Sequence, residues 1–150
     1  MTSVKSVAPR GRGWIVDTCV LIDILDEDPE FGLSSALCLR EHLSEGLEVS
    51  PVTMIELSPA CAGDLAVQKE FLSLCGINFD TTMEALDVTR AHAAWNCYIE
   101  KKRLKKAGKR PIADIMIGAC AARAGGLITR NPKNFRPWFP EINVIVPGQF

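Results

Sequence analysis

Five short apolar runs, three of them preceding segments of helical spacing, set the tightest limit on what this chain folds into. Trp14-Ile15-Val16 stops at Asp17, after which Val20, Leu21, Ile24 and Leu25 recur on one helical face. Further strands are predicted over Leu47 to Ser50, Ile77 to Phe79, Leu127 to Thr129 and Ile142 to Val146, the last punctuated by Pro147 and Gly148. Helices are predicted between them. One runs from Leu33 to near Gly46 with Leu33, Ala36, Leu37, Leu39 and Leu43 on its apolar side, and another from Pro51 to Leu57. A third covers Asp64 to Cys75, with Leu65, Phe71, Leu72 and Cys75 inward. A fourth runs from Met83 to about Ile99 with Thr82 as N-cap, a basic loop spans Glu100 to Arg110, and a last helix begins at Pro111. Strands that alternate with helices pair in parallel through right-handed crossovers. The expected fold is therefore α/β, a three-layer α/β/α sandwich around a central parallel sheet of about five strands.

With 150 residues, 47% of them hydrophobic, the chain is sized for one core, so a flexible tail over 1–13 and a single domain over 14–150 are expected. No apolar run reaches the length of a membrane span, since Ile112 to Ala124 is broken by Asp114 and Arg123. A soluble protein with no membrane partner follows. The six cysteines lie inside apolar segments and show no C-x2-C spacing, which reads as reduced core thiols in a cytoplasmic protein. A net charge of −1 excludes a general electrostatic attraction to nucleic acid and leaves any such contact to local patches.

Open parallel sheets gather chemistry at the carboxyl ends of their strands, so the position of the acids decides what this one does. Asp17 ends the first strand, Glu56 lies in the helix after the second, and Asp114 lies in the first turn of the helix from Pro111. Each has an ordinary alternative. Asp17 has the N-cap as its alternative, a role that Asn, Ser or Thr fills equally, Glu56 that of a surface glutamate or salt-bridge partner, and Asp114 that of an acid complementing a helix dipole. Should the three meet, mutual repulsion raises their pKa values unless a cation sits among them, and carboxylate oxygens suit Mg²⁺ or Mn²⁺.

The stretches Ile15-Val16-Asp17-Thr18-Cys19-Val20-Leu21-Ile22-Asp23, Thr53-Met54-Ile55-Glu56-Leu57, Ile112-Ala113-Asp114-Ile115-Met116-Ile117-Gly118-Ala119 and Leu127-Ile128-Thr129-Arg130-Asn131-Pro132-Lys133-Asn134-Phe135 together resemble the motifs of PIN-domain ribonucleases, in particular VapC-type toxins of bacterial toxin–antitoxin pairs. The likeness runs in order from Trp14 to Pro147. It implies a metal-dependent endoribonuclease, with Asp17, Glu56 and Asp114 holding Mg²⁺ or Mn²⁺, Asn131 in the fourth polar position, and Thr129, Thr18 and Asn134 as auxiliaries. It also implies an RNA substrate, a small protein antitoxin and a homodimer. The chain departs from the pattern at Asn131 and Asn134, where many relatives place at least one aspartate, and at Cys19, where Asn or Ser is common. The site thereby loses charge, and one tightly held ion is the expectation.

Lys101, Lys102, Arg103, Lys105, Lys106, Lys109 and Arg110 concentrate basic charge just before Asp114. Such a run is commonly a solvated surface, but its place beside an acid points to phosphate contact, so Lys105, Lys106, Lys109, Arg110 and, beside Asn131, Arg130 are the expected RNA contacts. Trp138 and Phe139 read as core or dimer packing, with base stacking as the alternative, and Asp23 as either a support to the site or a surface acid. His42 and His92 stand alone and receive no catalytic role. The rival readings are a catalytically weak or silent PIN-like module binding RNA or protein, and a phosphoaspartyl enzyme using Asp17. Against the latter, Cys19 stands where such enzymes want a second aspartate.

Overall fold

The computed structural model describes residues 13–104 and 111–149. The 1–12 part of the expected tail and the expected RNA contacts Lys105, Lys106, Lys109 and Arg110 lie outside the described residues. Five strands, β1 (Trp14–Val16), β2 (Leu47–Glu48), β3 (Ile77–Asn78), β4 (Gly126–Ile128) and β5 (Asn143–Ile145), form one sheet in the order β3-β2-β1-β4-β5. All four pairings are parallel. Its helices are α1 (Thr18–Leu25), α2 (Gly32–His42), α3 (Pro51–Glu56), α4 (Leu65–Leu74), α5 (Ala85–Leu104) and α6 (Ile112–Ala124).

Because successive strand residues face opposite sides, the sheet builds two cores. Ile15 and Leu127 face a layer with Ile115, Ile117 and Ala94 of α6 and α5, while Val16 and Ile128 face a layer with Val20, Leu39 and Leu72 of α1, α2 and α4. This is the expected three-layer sandwich. At Gly118 an added Cβ would overlap the ring of Phe139, so glycine there lets the 135–139 turn close against α6. Among the described residues no helix is long and apolar enough to cross a membrane.

Five local expectations are corrected. The buried face of α2 is Ser35, Cys38 and Leu39, whereas Leu33 and Leu37, and Leu43 just beyond its end, are exposed. Its rotation follows from a polar contact, since Ser35 Oγ donates to the buried carboxylate of Asp23. In α4 Leu65 is exposed, and Gln68 is buried instead, its amide donating to the Met54 carbonyl at 2.9 Å. Thr82 does not cap α5; the carboxylate of Asp87, in the first turn, reaches back to accept from the Glu84 amide at 2.8 Å. Glu100 to Leu104 belong to α5 rather than to a loop, as a run without Gly or Pro composed mostly of strong helix formers allows. All six cysteines are free; Cys38, Cys61 and Cys120 are buried, Cys19 and Cys75 half-buried, and Cys97 is exposed rather than in the core.

Candidate active site

Strand order reverses between β1 and β4, the point at which open parallel sheets form a crevice beyond the carboxyl ends of their strands. Asp17 leaves β1 with its amide still bonded to the Ile128 carbonyl of β4 at 2.9 Å, so the sheet itself sets where its side chain stands. The residue serves as N-cap of α1, as one alternative had it, yet this uses only Oδ1, which accepts from the Thr18 amide at 2.8 Å. Oδ2 accepts from Thr129 Oγ1 at 2.7 Å and from Cys19 Sγ at 3.3 Å. Burial pushes this carboxyl above its usual 3.8; the bonds from Thr129, Cys19 and Thr18 pull it back, and the nearby charge of Glu56 raises it further. The Cys19 thiol, enclosed and beside Asp17, is pushed up to about 12, so it acts as a hydrogen-bond donor rather than a thiolate.

Glu56 is reached through two threonines. Thr18 Oγ1 donates to Glu56 Oε1 at 2.6 Å and lies 2.9 Å from Thr53 Oγ1. Having given its one proton to Glu56, Thr18 accepts from Thr53. Thr53 is placed by α3, which begins at Pro51 with Ser50 Oγ capping the Thr53 amide. Asp17, Thr18, Thr53 and Glu56 thus form one connected line from β1 to α3. Thr53 lies inside a motif stretch but carries no charge, which is why charge-led reading passed over it, and Cys19, expected only as a departure from the family pattern, is a donor to Asp17.

Glu56 and Asp114 line one cleft of about 400 Å³, together with Lys133, Asn134, Pro137 and Trp138. Thr129 is fully buried, and its hydroxyl also accepts from the Asn131 amide at 3.0 Å, which fixes the bend from β4 towards the cleft. Asn131 is half-buried, and its carbonyl accepts from the Asn134 amide. Lys133 and Trp138 are cleft residues that the sequence reading did not place there. Among the described residues no three His, Cys, Asp or Glu side chains stand close enough to share one ion. The donor set nevertheless fits a hard divalent cation, which takes oxygen ligands, needs only one or two carboxylates, and completes its shell with water and substrate phosphate.

Arg130, expected as an RNA contact, is engaged within the fold. Its guanidinium makes a two-pronged ion pair with buried Asp23, Nε to Oδ2 and Nη2 to Oδ1, and lies 4.2 Å from the centre of the Phe31 ring. Asp23 is therefore no surface acid. The pair ties α1, which begins at the site, to the segment that carries Thr129 and Asn131. Replacing Arg130 by Ala leaves Asp23 buried with only Ser35 as partner, and a loss of about 3 kcal/mol in urea unfolding is expected. The salt dependence of RNA binding should stay as in the parent; a shallower slope would show that Arg130 contacts phosphate.

Comparison with known proteins adds a family to this geometry. In structure the chain is similar to VapBC2 from Rickettsia felis bound to a DNA fragment from their promoter, with a TM-score of 0.65 at 15% identity, over 90% of this chain and 98% of the other. It is likewise similar to FitAB bound to the IR36 DNA fragment, with a TM-score of 0.64 at 17% identity, over 91% and 96%. No curated protein sequence matches it. A model of the PIN domain matches residues 14–136, and the chain belongs to the PIN domain family.

Proposed function

We propose that this protein is a metal-dependent endoribonuclease and the toxin of a toxin–antitoxin pair. The observation that carries the nuclease reading is the line Asp17–Thr18–Glu56 ending in a cleft that Asp114 also lines, at the point where strand order reverses. Asp17, Glu56 and Asp114 would hold Mg²⁺ or Mn²⁺, one or two of them directly and the rest through its bound water, and such an ion supplies an acidified water and a counter-charge for the leaving oxygen. The chain's own residues prepare that chemistry. Thr129 and Cys19 fix the Asp17 carboxylate, Thr18 and Thr53 fix Glu56, and Lys133 brings positive charge to the cleft for the RNA backbone. Asn131 and Asn134 are the auxiliary polar groups. Lys105, Lys106, Lys109 and Arg110 belong to the same reading as RNA contacts, whereas Arg130, paired with Asp23, acts by holding the segment that carries Thr129 and Asn131.

Membership in the PIN family and the likeness to two toxin–antitoxin structures support a small protein antitoxin that covers this cleft, and a homodimer in the cytoplasm is part of the proposal. The test is incubation with total RNA and Mg²⁺ or Mn²⁺. Discrete cleavage that stops on chelation is expected, and intact RNA would overturn the reading. A silent RNA-binding module is the second reading, favoured by the two uncharged asparagines and by the spread of the three acids. Calorimetry separates the two, because the silent module shifts RNA on a gel yet binds no Mn²⁺. Asn131→Asp restores an anion, so it should tighten Mn²⁺ binding by about tenfold, an amount equal to 1.4 kcal/mol; unchanged affinity would place Asn131 outside the site.

A further inference from the structure

Trp138 forms a wall shared by two concavities. On one side is the cleft with Glu56, Asp114 and Lys133, and on the other a groove of about 230 Å³ lined by Arg90, Cys97, Phe139 and Glu141. The tryptophan is only partly buried and is braced from behind. Tyr98 meets it edge-on at 5.7 Å between ring centres and is itself stacked on Trp95 at 5.3 Å. Cations flank it, with Lys101 Nζ 5.1 Å from its ring centre. Arg90, Ala94, Cys97 and Lys101 recur at helical spacing along α5, so one helix lays a stripe with a cation at each end beside the ring. At the head of that stripe, Nη1 of Arg90 is buried without an acceptor. Arg90 also lines the groove that Trp138 walls, so its charge stands beside that concavity.

We propose that the Trp138 wall and the Arg90 groove form a nucleotide subsite for single-stranded RNA, next to the acid cleft. The base flanking the cut phosphodiester stacks on Trp138, and the following phosphate is met by Arg90, with Lys101 offsetting the repulsion from Glu141. An aromatic face takes any unpaired base, whereas a base inside a duplex is already stacked on its neighbours. The subsite therefore selects unpaired strands without reading their sequence. It rests on the nuclease reading for its orientation towards the acids.

The test uses full-length Asp17→Asn protein in chelator, so that RNA is bound without being cut. A fluorescent six-nucleotide RNA serves as single strand and, annealed, as duplex. Trp138→Leu is expected to weaken single-strand binding about tenfold and Trp138→Phe by less than about threefold, in the range of one lost base stack, with duplex binding unchanged. Arg90→Gln should lower the slope of log affinity against log salt by about 0.7, one phosphate on a single strand. A readout that needs no variant at Trp138 is quenching of 2-aminopurine placed at successive positions of the strand. Single-strand affinity within about twofold of the parent for Trp138→Leu, equal losses on single strand and duplex, or no RNA binding by the parent would each overturn the subsite. The nuclease reading is judged apart, by cleavage in Mn²⁺ with Asp17 intact: Trp138→Leu should raise KM and keep kcat. A parent that cuts nothing but still shows the Trp138 dependence would sink that reading alone.

Discussion

Asp17→Asn is expected to abolish RNA cleavage while making the metal-free protein more stable at neutral pH. Loss of a group that merely orients a metal ligand costs about 10–100-fold, so removing the ligand itself should cost at least about a hundredfold. The stability change has the opposite sign. Burial lifts the Asp17 carboxyl above 3.8, and Glu56 adds repulsion to what Thr129, Cys19 and Thr18 only partly offset. A carboxyl whose folded value lies above its unfolded one favours folding while protonated; that contribution is complete below the unfolded value and is lost as pH rises through the folded value. At pH 7 the ionised Asp17 therefore weighs against the metal-free fold, and Asn carries no such charge. The Tm of the variant should exceed the parent's at pH 7 by about 2–4 °C for each kcal/mol recovered, and the gap should close as pH falls towards about 4. Adding Mn²⁺ should raise the Tm of the parent and leave the variant unmoved. Equal cleavage by both proteins, or a variant that is less stable without metal, would remove Asp17 from the role assigned to it.

Charge and periodicity made the frame of this site legible. The abrupt stop of Trp14-Ile15-Val16 at Asp17 is a strand running into a helix cap, and the chain has few other ways to arrange an acid behind an apolar run. The alternation of short strands and helices then forces a parallel sheet, and the reversal of strand order places Asp17 and Thr129 side by side although they are 112 residues apart. What periodicity could not give is the identity of polar groups buried by a distant partner. Ser35 lies inward and Leu33 and Leu37 outward because Asp23 needs a donor, and Asp23 is inward because Arg130 pairs with it from 107 residues away. A scale that ranks residues by their own hydropathy reads that face of α2 backwards. Lys133 and Trp138 were missed in the cleft for a related reason: the turn after β4 has no period, and only the packing of Phe135 and Phe139 on the core decides which way its other side chains face.

Arg123→Met is expected to destabilise the domain by about 3–5 kcal/mol, roughly 6–20 °C in Tm for a chain of this size. Asp87 is fully buried in α5, and Arg123 of α6 holds it through Nε at 2.9 Å and 3.1 Å to the two carboxylate oxygens. The same guanidinium donates to the Thr82 carbonyl at 3.2 Å and lies 3.5 Å from Glu84, so it also pins the segment that leads into α5. Its removal leaves a buried charge with the Glu84 amide and a distant thiol of Cys120 as partners. The penalty comes from that stranded carboxylate more than from the lost attraction, because desolvating an ion costs several kcal/mol that only a partner repays. The pair Asp87→Asn with Arg123→Met should then recover most of the stability that Arg123→Met alone loses, a coupling readable in a double-variant cycle of urea unfolding. Additive losses would mean that Arg123 stabilises by packing along α5 and not by neutralising Asp87. Since α6 carries Asp114 and α5 carries Arg90 and Lys101, the restored double variant should also regain single-strand RNA binding, whereas Arg123→Met alone should lose it in step with its fold.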